Sequence, residues 1–231
     1  MTTTLITGAS RGIGREAARQ LLAAGHDVWM AARDPERGRA VADELGGRFV
    51  RLDVTDDDSV RAAVDEVSAG SGGLDVLVNN AGITGGRRAP EETAAEDLRA
   101  VFETNVFGIV RVTRAFLPLL EHSQSPVIVN VSSGMGSLAV TTDPDRLEST
   151  IVALAYPASK TAVNMLTSQY AKALPRVRVN AVDPGYTATD LNGHRGTKPV
   201  EEGARVVVAM ARIGADGPSG TFVDQDGAMP W

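Results

Sequence analysis

The sequence predicts an α/β protein with a doubly wound, parallel sheet, folded as a single domain over residues 1–231. Three observations carry this expectation. Short β-branched runs alternate with longer helical patterns along the chain. Several runs are continuously apolar, as strands covered on both faces are. A glycine-rich turn, Thr7-Gly8-Ala9-Ser10-Arg11-Gly12-Ile13-Gly14, links the first run to the first helical pattern.

The elements follow in order. A strand over Thr3–Thr7 feeds a helix over Gly12–Ala24. A second strand, Asp27–Ala31, is followed by Asp34-Pro35-Glu36, which reads as N-cap, N1 proline and acidic first turn of a helix over Pro35–Leu45. The strand Arg48–Leu52 precedes a helix over Asp57–Val67. Gly72-Gly73 marks a turn before the strand Val76–Asn79, and Gly85-Gly86 a turn before a long helix, Ala94–Leu119. Strands at Val127–Val131, Arg176–Val182 and Thr221–Val223 alternate with helices at Tyr156–Leu174 and Val200–Arg212. Such alternation implies right-handed βαβ units, with ligands bound beyond the carboxyl ends of the strands at the topological switch point. Gly134–Ala153 and Tyr186–Pro199 read as long irregular segments, which in a compact domain are usually functional or mobile.

Composition narrows the chemistry. Hydrophobic residues make up 43% and charged residues 23%, enough for a large core, and the net charge of −6 argues against a nucleic-acid surface. The chain has no cysteine, which excludes disulfides, zinc–thiolate sites and thiol nucleophiles. His26, His122 and His194 have no metal-ligand spacing and read as surface residues; no metal site is expected. No apolar run reaches the roughly 20 residues of a membrane helix. The stretch Met1–Thr7 is too short and polar to read as a secretion signal, so a cytoplasmic protein without membrane partners is expected.

The glycine turn has a physical purpose. Glycine lets the chain bend sharply, lets backbone approach a pyrophosphate, and lets the helix pack tightly on its strand. The phosphates then meet free N–H groups at the positive helix end. On its own such a turn is also compatible with an ordinary βα connection.

T-G-A-S-R-G-I-G resembles the T-G-x-x-x-G-x-G signature of the short-chain dehydrogenase/reductase family. Further segments match that family in order: Asp53-Val54, Asn79-Asn80-Ala81-Gly82, Asn105, Val129-Asn130-Val131-Ser132-Ser133, Tyr156-Pro157-Ala158-Ser159-Lys160 and Pro184-Gly185. They span Thr7 to about Thr189, and the C-terminal end is most similar to the carbonyl-reductase side of the family. The resemblance implies a Rossmann-type fold, a nicotinamide cofactor and a small-molecule carbonyl or alcohol substrate.

For the cofactor two readings compete. An acid about 20 residues beyond the turn holds the adenosine ribose and selects NAD, and Asp34 lies at that distance from Gly14. The helix-cap role suits Asp34 better, because family members that use NAD carry the acid where this chain has Ala32. Arg33 and Arg11 would suit a 2′-phosphate, so NADP(H) is expected; the alternative for both is solvated surface arginine. By resemblance, Gly8, Ser10, Arg11, Gly12, Ile13 and Gly14 bind the phosphates. Asp53 with Val54 takes the adenine, with helix capping as the alternative for Asp53. Asn80, Ala81 and Gly82 line the ribose, while Asn79 ties strands together. Pro184, Gly185, Thr187 and Thr189 hold the carboxamide, Thr187 through its backbone; the plain alternative for Pro-Gly is a turn.

Tyr156 and Lys160, four residues apart at a helix start, share one face. A free phenol with a pKa of about 10 is a poor base, and a nearby ammonium lowers it. Tyr156 can then exchange a proton with the substrate oxygen while nicotinamide exchanges hydride with its carbon. Lys160 is expected to bind the nicotinamide ribose as well. Ser133 resembles the substrate-orienting serine and Ser132 a structural one. Asn105 resembles the asparagine that bends a helix and holds a water leading to Lys160. The segment between Ser133 and Tyr156 exceeds the family minimum by about ten residues and serves either as substrate entrance or as surface elaboration. It lies near the usual oligomer helix, so a homo-oligomer is left open. Arg87-Arg88 reads as a solvated pair, Trp29 as strand core, and Trp231 as a packing anchor or a neighbour of the substrate loop. A sugar-nucleotide epimerase and a non-catalytic NADP sensor are the rivals; the first needs more chain beyond Thr189, and the second often lacks the tyrosine or lysine kept here.

Overall fold

Each β-branched run becomes a strand. The computed structural model describes residues 1–86 and 88–231, so Arg87 of the Arg87-Arg88 pair lies outside the described residues. The strands are β1 (Thr3–Thr7), β2 (Asp27–Ala32), β3 (Arg48–Arg51), β4 (Val76–Asn79), β5 (Val127–Val131), β6 (Arg178–Val182), β7 (Phe222–Asp224) and β8 (Gly227–Ala228). They form one sheet in the order β3-β2-β1-β4-β5-β6-β7-β8, parallel through β7, with β8 antiparallel. The order reverses between β1 and β4, which opens a crevice at their carboxyl ends.

Two apolar layers cover the sheet, because alternate residues of each strand point to opposite faces. Ile6, Val28, Met30, Val78 and Val129 pack with α1 (Gly12–Ala23), α2 (Pro35–Leu45) and α8 (Val200–Ala211). Leu5, Trp29, Ala31, Leu77 and Ile128 pack with α3 (Asp57–Ser71), α5 (Gly108–Leu120) and α7 (Ala155–Ala173). Trp29 is core, as expected, and its indole N–H donates to Ser71 at 2.6 Å. Phe116 on α5 is fully buried in the second layer. Phe116→Ala should therefore cost about 3–5 kcal/mol of unfolding free energy. A urea midpoint unchanged from wild type would show that this layer is not tightly packed.

Polar groups fix the sheet internally. The Asn79 amide donates to Asn130 Oδ1 (2.9 Å) and Thr113 Oγ1 (3.2 Å), and the Asn130 amide donates to Thr167 Oγ1 (2.9 Å). Asn79 thus ties β4 to β5 and to the helical layer. Among the described residues no helix is long and apolar enough to cross a membrane.

Four local readings change. The long helix divides into α4 (Ala95–Phe102), a π turn over Glu103–Phe107, and α5. The segment after β5 is ordered, not structureless: single 3₁₀ turns at Gly134–Gly136 and Leu147–Thr150 flank α6 (Leu138–Thr142). The Ser137 hydroxyl caps α6 at Val140 N (3.1 Å) and donates to Pro230 O (2.8 Å). The pair β7–β8 closes on an Asp224 side-chain turn to Asp226 and Gly227, too short to leave a periodic signal. His26 is half-buried, bonded to Thr4 Oγ1 at 2.8 Å, and burial pulls its pKa down.

Candidate active site

The turn after β1 ends in an uncapped helix. Asp34 accepts from Glu36 N and Arg37 N at the start of α2, and Asp56 accepts from Asp58 N and Ser59 N at the start of α3. At α1 the N-cap is Arg11, no side chain caps the backbone, and the first turn carries no acid. The N–H groups of Gly12, Ile13 and Gly14 therefore face outward with the positive helix end behind them, a donor set suited to a pyrophosphate. Gly8 sits at φ +67°, and a Cβ on Gly14 would collide with the Gly8 carbonyl and the Asn80 amide. Asn80 closes the turn from β4, donating to Thr7 O (2.9 Å) and Gly8 O (3.2 Å). Its backbone N–H and that of Ala81 reach Thr7 Oγ1, each at 3.0 Å.

At the other end of the crevice, Ala32 closes β2 and Arg33 lies exposed beyond it. Its charge helps hold the Asp53 carboxyl below the usual range, although bonds from Thr55 contribute more; burial pushes the other way and is the largest single influence. Asp53 Oδ1 accepts from Thr55 N and Oγ1, whereas Asp56 caps α3, so the capping alternative for Asp53 does not hold. Asp34 is the helix cap that its neighbours suggest. Arg11 differs from expectation: its guanidinium pairs with Asp190 at 3.2 Å, and Asp190 also holds His194. Both Arg11 and Asp190 are about half exposed, so the pair is worth at most about 1 kcal/mol.

Ser133, Tyr156 and Lys160 converge where β5 ends against α7. The Lys160 ammonium donates to Val131 O at 2.7 Å and lies 5.6 Å from the Tyr156 ring centre. The Ser133 hydroxyl accepts from Met135 N (3.2 Å) and lines the same cavity as the phenol. Ser132 is turned away and buried, bonded to Asn164 Oδ1 at 2.5 Å, as befits a structural residue. Asn105 stands in the π turn, fully buried. It holds Ile83 through both N–H and C=O, each at 2.9 Å, and donates to Ser159 Oγ at 3.0 Å. The bend is thus the price of aiming one amide at two neighbouring elements.

These groups border a cavity of about 900 Å³. Ile13, Asn80, Gly82, Ser133, Tyr156, Lys160, Pro184, Gly185 and Thr187 line it. Gly8, Ser10, Arg11, Gly12, Gly14, Arg33, Asp53, Val54, Ala81, Asn105 and Thr189 do not line it. A model of the short chain dehydrogenase family matches residues 2–200. The chain belongs to that family. A short-chain dehydrogenase, anuI, from Penicillium roqueforti is 37% identical over 91% of this chain and 88% of its own length. Carbonyl reductase [NADPH] 1 of Rattus norvegicus is 32% identical over 98% and 97%. The solved NADPH-bound carbonyl reductase from chicken fatty liver superposes with a TM-score of 0.89 at 29% identity, covering 100% of this chain and 99% of that one.

In this short-chain dehydrogenase the electrostatics depart from the simple expectation that Lys160 lowers the phenol pKa. Burial pushes Tyr156 up to about 12, against the pull of the Ser133 hydrogen bond and with a further push from Asp183. Burial also pulls Lys160 down to about 8. Desolvation shifts each side chain toward its neutral form, and the ammonium is turned to Val131 O. Asp183 itself was not singled out in the sequence. A lone acid at the end of a strand, immediately before Pro184-Gly185, is the signal that could have found it. Of the segment after β5, Met135, Leu147, Ile151 and Val152 line the cavity, which favours an entrance over mere elaboration. Arg88 also lines it and reaches Asp97 at 3.7 Å. Trp231 stacks on Phe222 (5.7 Å between centres) while its carbonyl meets Ala139 N, so it is both packing anchor and neighbour of that segment.

Proposed function

We propose that the chain is an NADP(H)-dependent oxidoreductase that transfers hydride between nicotinamide and a carbonyl or alcohol carbon, acting chiefly as a carbonyl reductase. One observation carries this: Ser133, Tyr156 and Lys160 meet on the wall of a cavity that continues to the uncapped start of α1. NADP(H), when bound, supplies or accepts the hydride. The backbone of Gly8, Ser10, Gly12, Ile13 and Gly14 would hold its pyrophosphate, and Arg11 and Arg33 its 2′-phosphate. Asp53 and Val54 would hold the adenine, Asn80, Ala81 and Gly82 the ribose, and Pro184, Gly185, Thr187 and Thr189 the carboxamide.

The chemistry at the substrate falls to side chains. Ser133 donates to the carbonyl oxygen and orients it. Tyr156, neutral well above physiological pH, gives its proton to that oxygen as charge develops there. Lys160 holds the nicotinamide ribose, and Asn105 keeps the floor in place through Ile83 and Ser159. A phenol pushed to about 12 stays protonated near neutral pH, the state in which it can give a proton to a carbonyl oxygen. The rat and chicken relatives, named for NADPH, support the cofactor reading. Met135, Leu147, Ile151 and Val152 suit a carbonyl carried on an apolar body.

The test is NADPH oxidation with a panel of apolar ketones, aldehydes and quinones. Turnover with at least one class is expected. Tight NADPH binding with no turnover across the panel would instead favour a cofactor sensor.

A further inference from the structure

The glycine turn and the loop after β6 touch at two neighbouring points. A Cβ on Gly12 would lie 3.4 Å from the Thr189 methyl, and the adjoining residues, Arg11 and Asp190, form the ion pair at 3.2 Å. On the other side of this contact, Ile13 and Leu191 both line the cavity. The pair therefore stands at the rim of the crevice, beside the uncapped start of α1.

Asp190 is held in place without Arg11. It opens a 3₁₀ turn, Asp190–Asn192, and its Oδ1 is bonded to His194 at 2.8 Å while its Oδ2 meets Arg11. The loop also closes on itself. Asn192 Nδ2 donates to Thr187 O (2.8 Å), Ala188 N to Lys198 O (2.9 Å) and Lys198 N to Tyr186 O (3.0 Å). None of these bonds involves Arg11. The bond to His194 is the largest influence holding the Asp190 carboxyl below its usual pKa, and Arg11 adds to it, so the group is a carboxylate at neutral pH.

We propose that Asp190 sets coenzyme affinity: it holds the Arg11 guanidinium in the free protein and gives it up to the 2′-phosphate of NADP(H), which weakens binding of that coenzyme and leaves NAD(H) unaffected. The inference rests on the reading of Arg11 as a ligand of that phosphate. A phosphate monoester carries roughly 1.5–2 negative charges near pH 7. Arg11 cannot hold it and the carboxylate in one place without bringing like charges together, which opposes binding. The contact to Asp190 is single, one nitrogen to one oxygen, whereas a guanidinium can meet a phosphate through two parallel N–H bonds. The phosphate thus displaces the acid. Asp190 stays beside the site, held by His194 and its own loop, and recaptures Arg11 as the coenzyme departs. A reductase must release oxidised coenzyme in every cycle, and release limits many enzymes, so a resident competitor serves turnover.

Fluorescence titration of NADPH and NADH against wild type, Asp190→Asn, Arg11→Ala and the double variant tests this. Exposed ion pairs are weak, so Asp190→Asn should tighten NADPH by only ~2–5-fold, slow its release by a similar factor, and leave NADH alone. Asp190→Glu keeps the charge and should stay nearer wild type. Arg11→Ala should weaken NADPH, and Asp190→Asn should add nothing in that background. The melting temperature of Asp190→Asn should match wild type, because the bonds within the loop survive.

Weaker NADPH binding in Asp190→Asn would overturn the proposal, since the acid would then be aiming Arg11 at the phosphate. So would a gain that persists in Arg11→Ala or appears equally with NADH, either of which would make Asp190 a general repulsive charge. A lower melting temperature with unchanged NADPH affinity would assign the pair to the fold and overturn it as well. The reading of Arg11 is tested separately. Arg11→Ala that binds NADPH as tightly as wild type sinks that reading and the proposal together, whereas weakened binding there with no gain in Asp190→Asn sinks the proposal alone.

Discussion

Tyr156→Phe is expected to lower kcat for carbonyl reduction by at least ~10²-fold, the lower range for general acid–base catalysis. The substitution removes one oxygen and keeps the ring. Lys160 makes its 2.7 Å bond to Val131 O independently of the phenol, so NADPH affinity should stay within a few fold of wild type. The loss should therefore fall on kcat, with KM for NADPH little changed. Steady-state rates together with NADPH titration by fluorescence separate the two. A variant that turns over within a few fold of wild type would remove Tyr156 from the reaction.

Coenzyme choice should respond almost as strongly. Arg33 is exposed at the end of β2 and, among the described residues, makes no ion pair. A charge-assisted bond to a 2′-phosphate is worth roughly 1.5–3 kcal/mol, so Arg33→Ala should weaken NADPH by ~10–100-fold and leave NADH nearly unchanged. Adding Ala32→Asp should go further, because a carboxylate there repels the phosphate and accepts the free ribose hydroxyls of NADH. Arg11 should contribute less, since it must first leave Asp190. Asp34→Ala separates the rival reading. With its carboxylate spent on Glu36 N and Arg37 N, its loss should cost about 1 kcal/mol of stability and leave the coenzyme ratio alone. Measuring kcat/KM for both coenzymes across these variants decides the matter. A wild type that prefers NADH would overturn the assignment.

Much of the sheet was legible because covered parallel strands are continuously apolar and their helices carry strong boundary signals. β1, β4, β5 and α2 fall on their expected residues, α2 because Asp34, Pro35 and Glu36 mark its start. Asn105, Ser133, Tyr156 and Lys160 could be listed from spacing and resemblance; Ser133, Tyr156 and Lys160 line one cavity, and Asn105 stands in the π turn. What escaped was set by contacts between distant segments. The order in residues 134–153 comes from Ser137 and Ala139 meeting Pro230 and Trp231, which no local pattern encodes. The Arg11–Asp190 pair spans 179 positions. Proton affinities were hardest to foresee, since spacing placed an ammonium near the phenol but could not show where that ammonium points.

The bonds from Ser137 and Ala139 to Pro230 and Trp231 also set an order of events during synthesis. Ser137 leaves the ribosome 93 residues before the carbonyl it will bind. At about 5–20 residues per second that is a wait on the order of ten seconds. During it, α1 through β6 can already pair and pack, but the cavity wall carrying Leu147, Ile151 and Val152 stays unanchored. The nascent chain can thus form the crevice at the ends of β1 and β4 well before the segment after β5 is anchored.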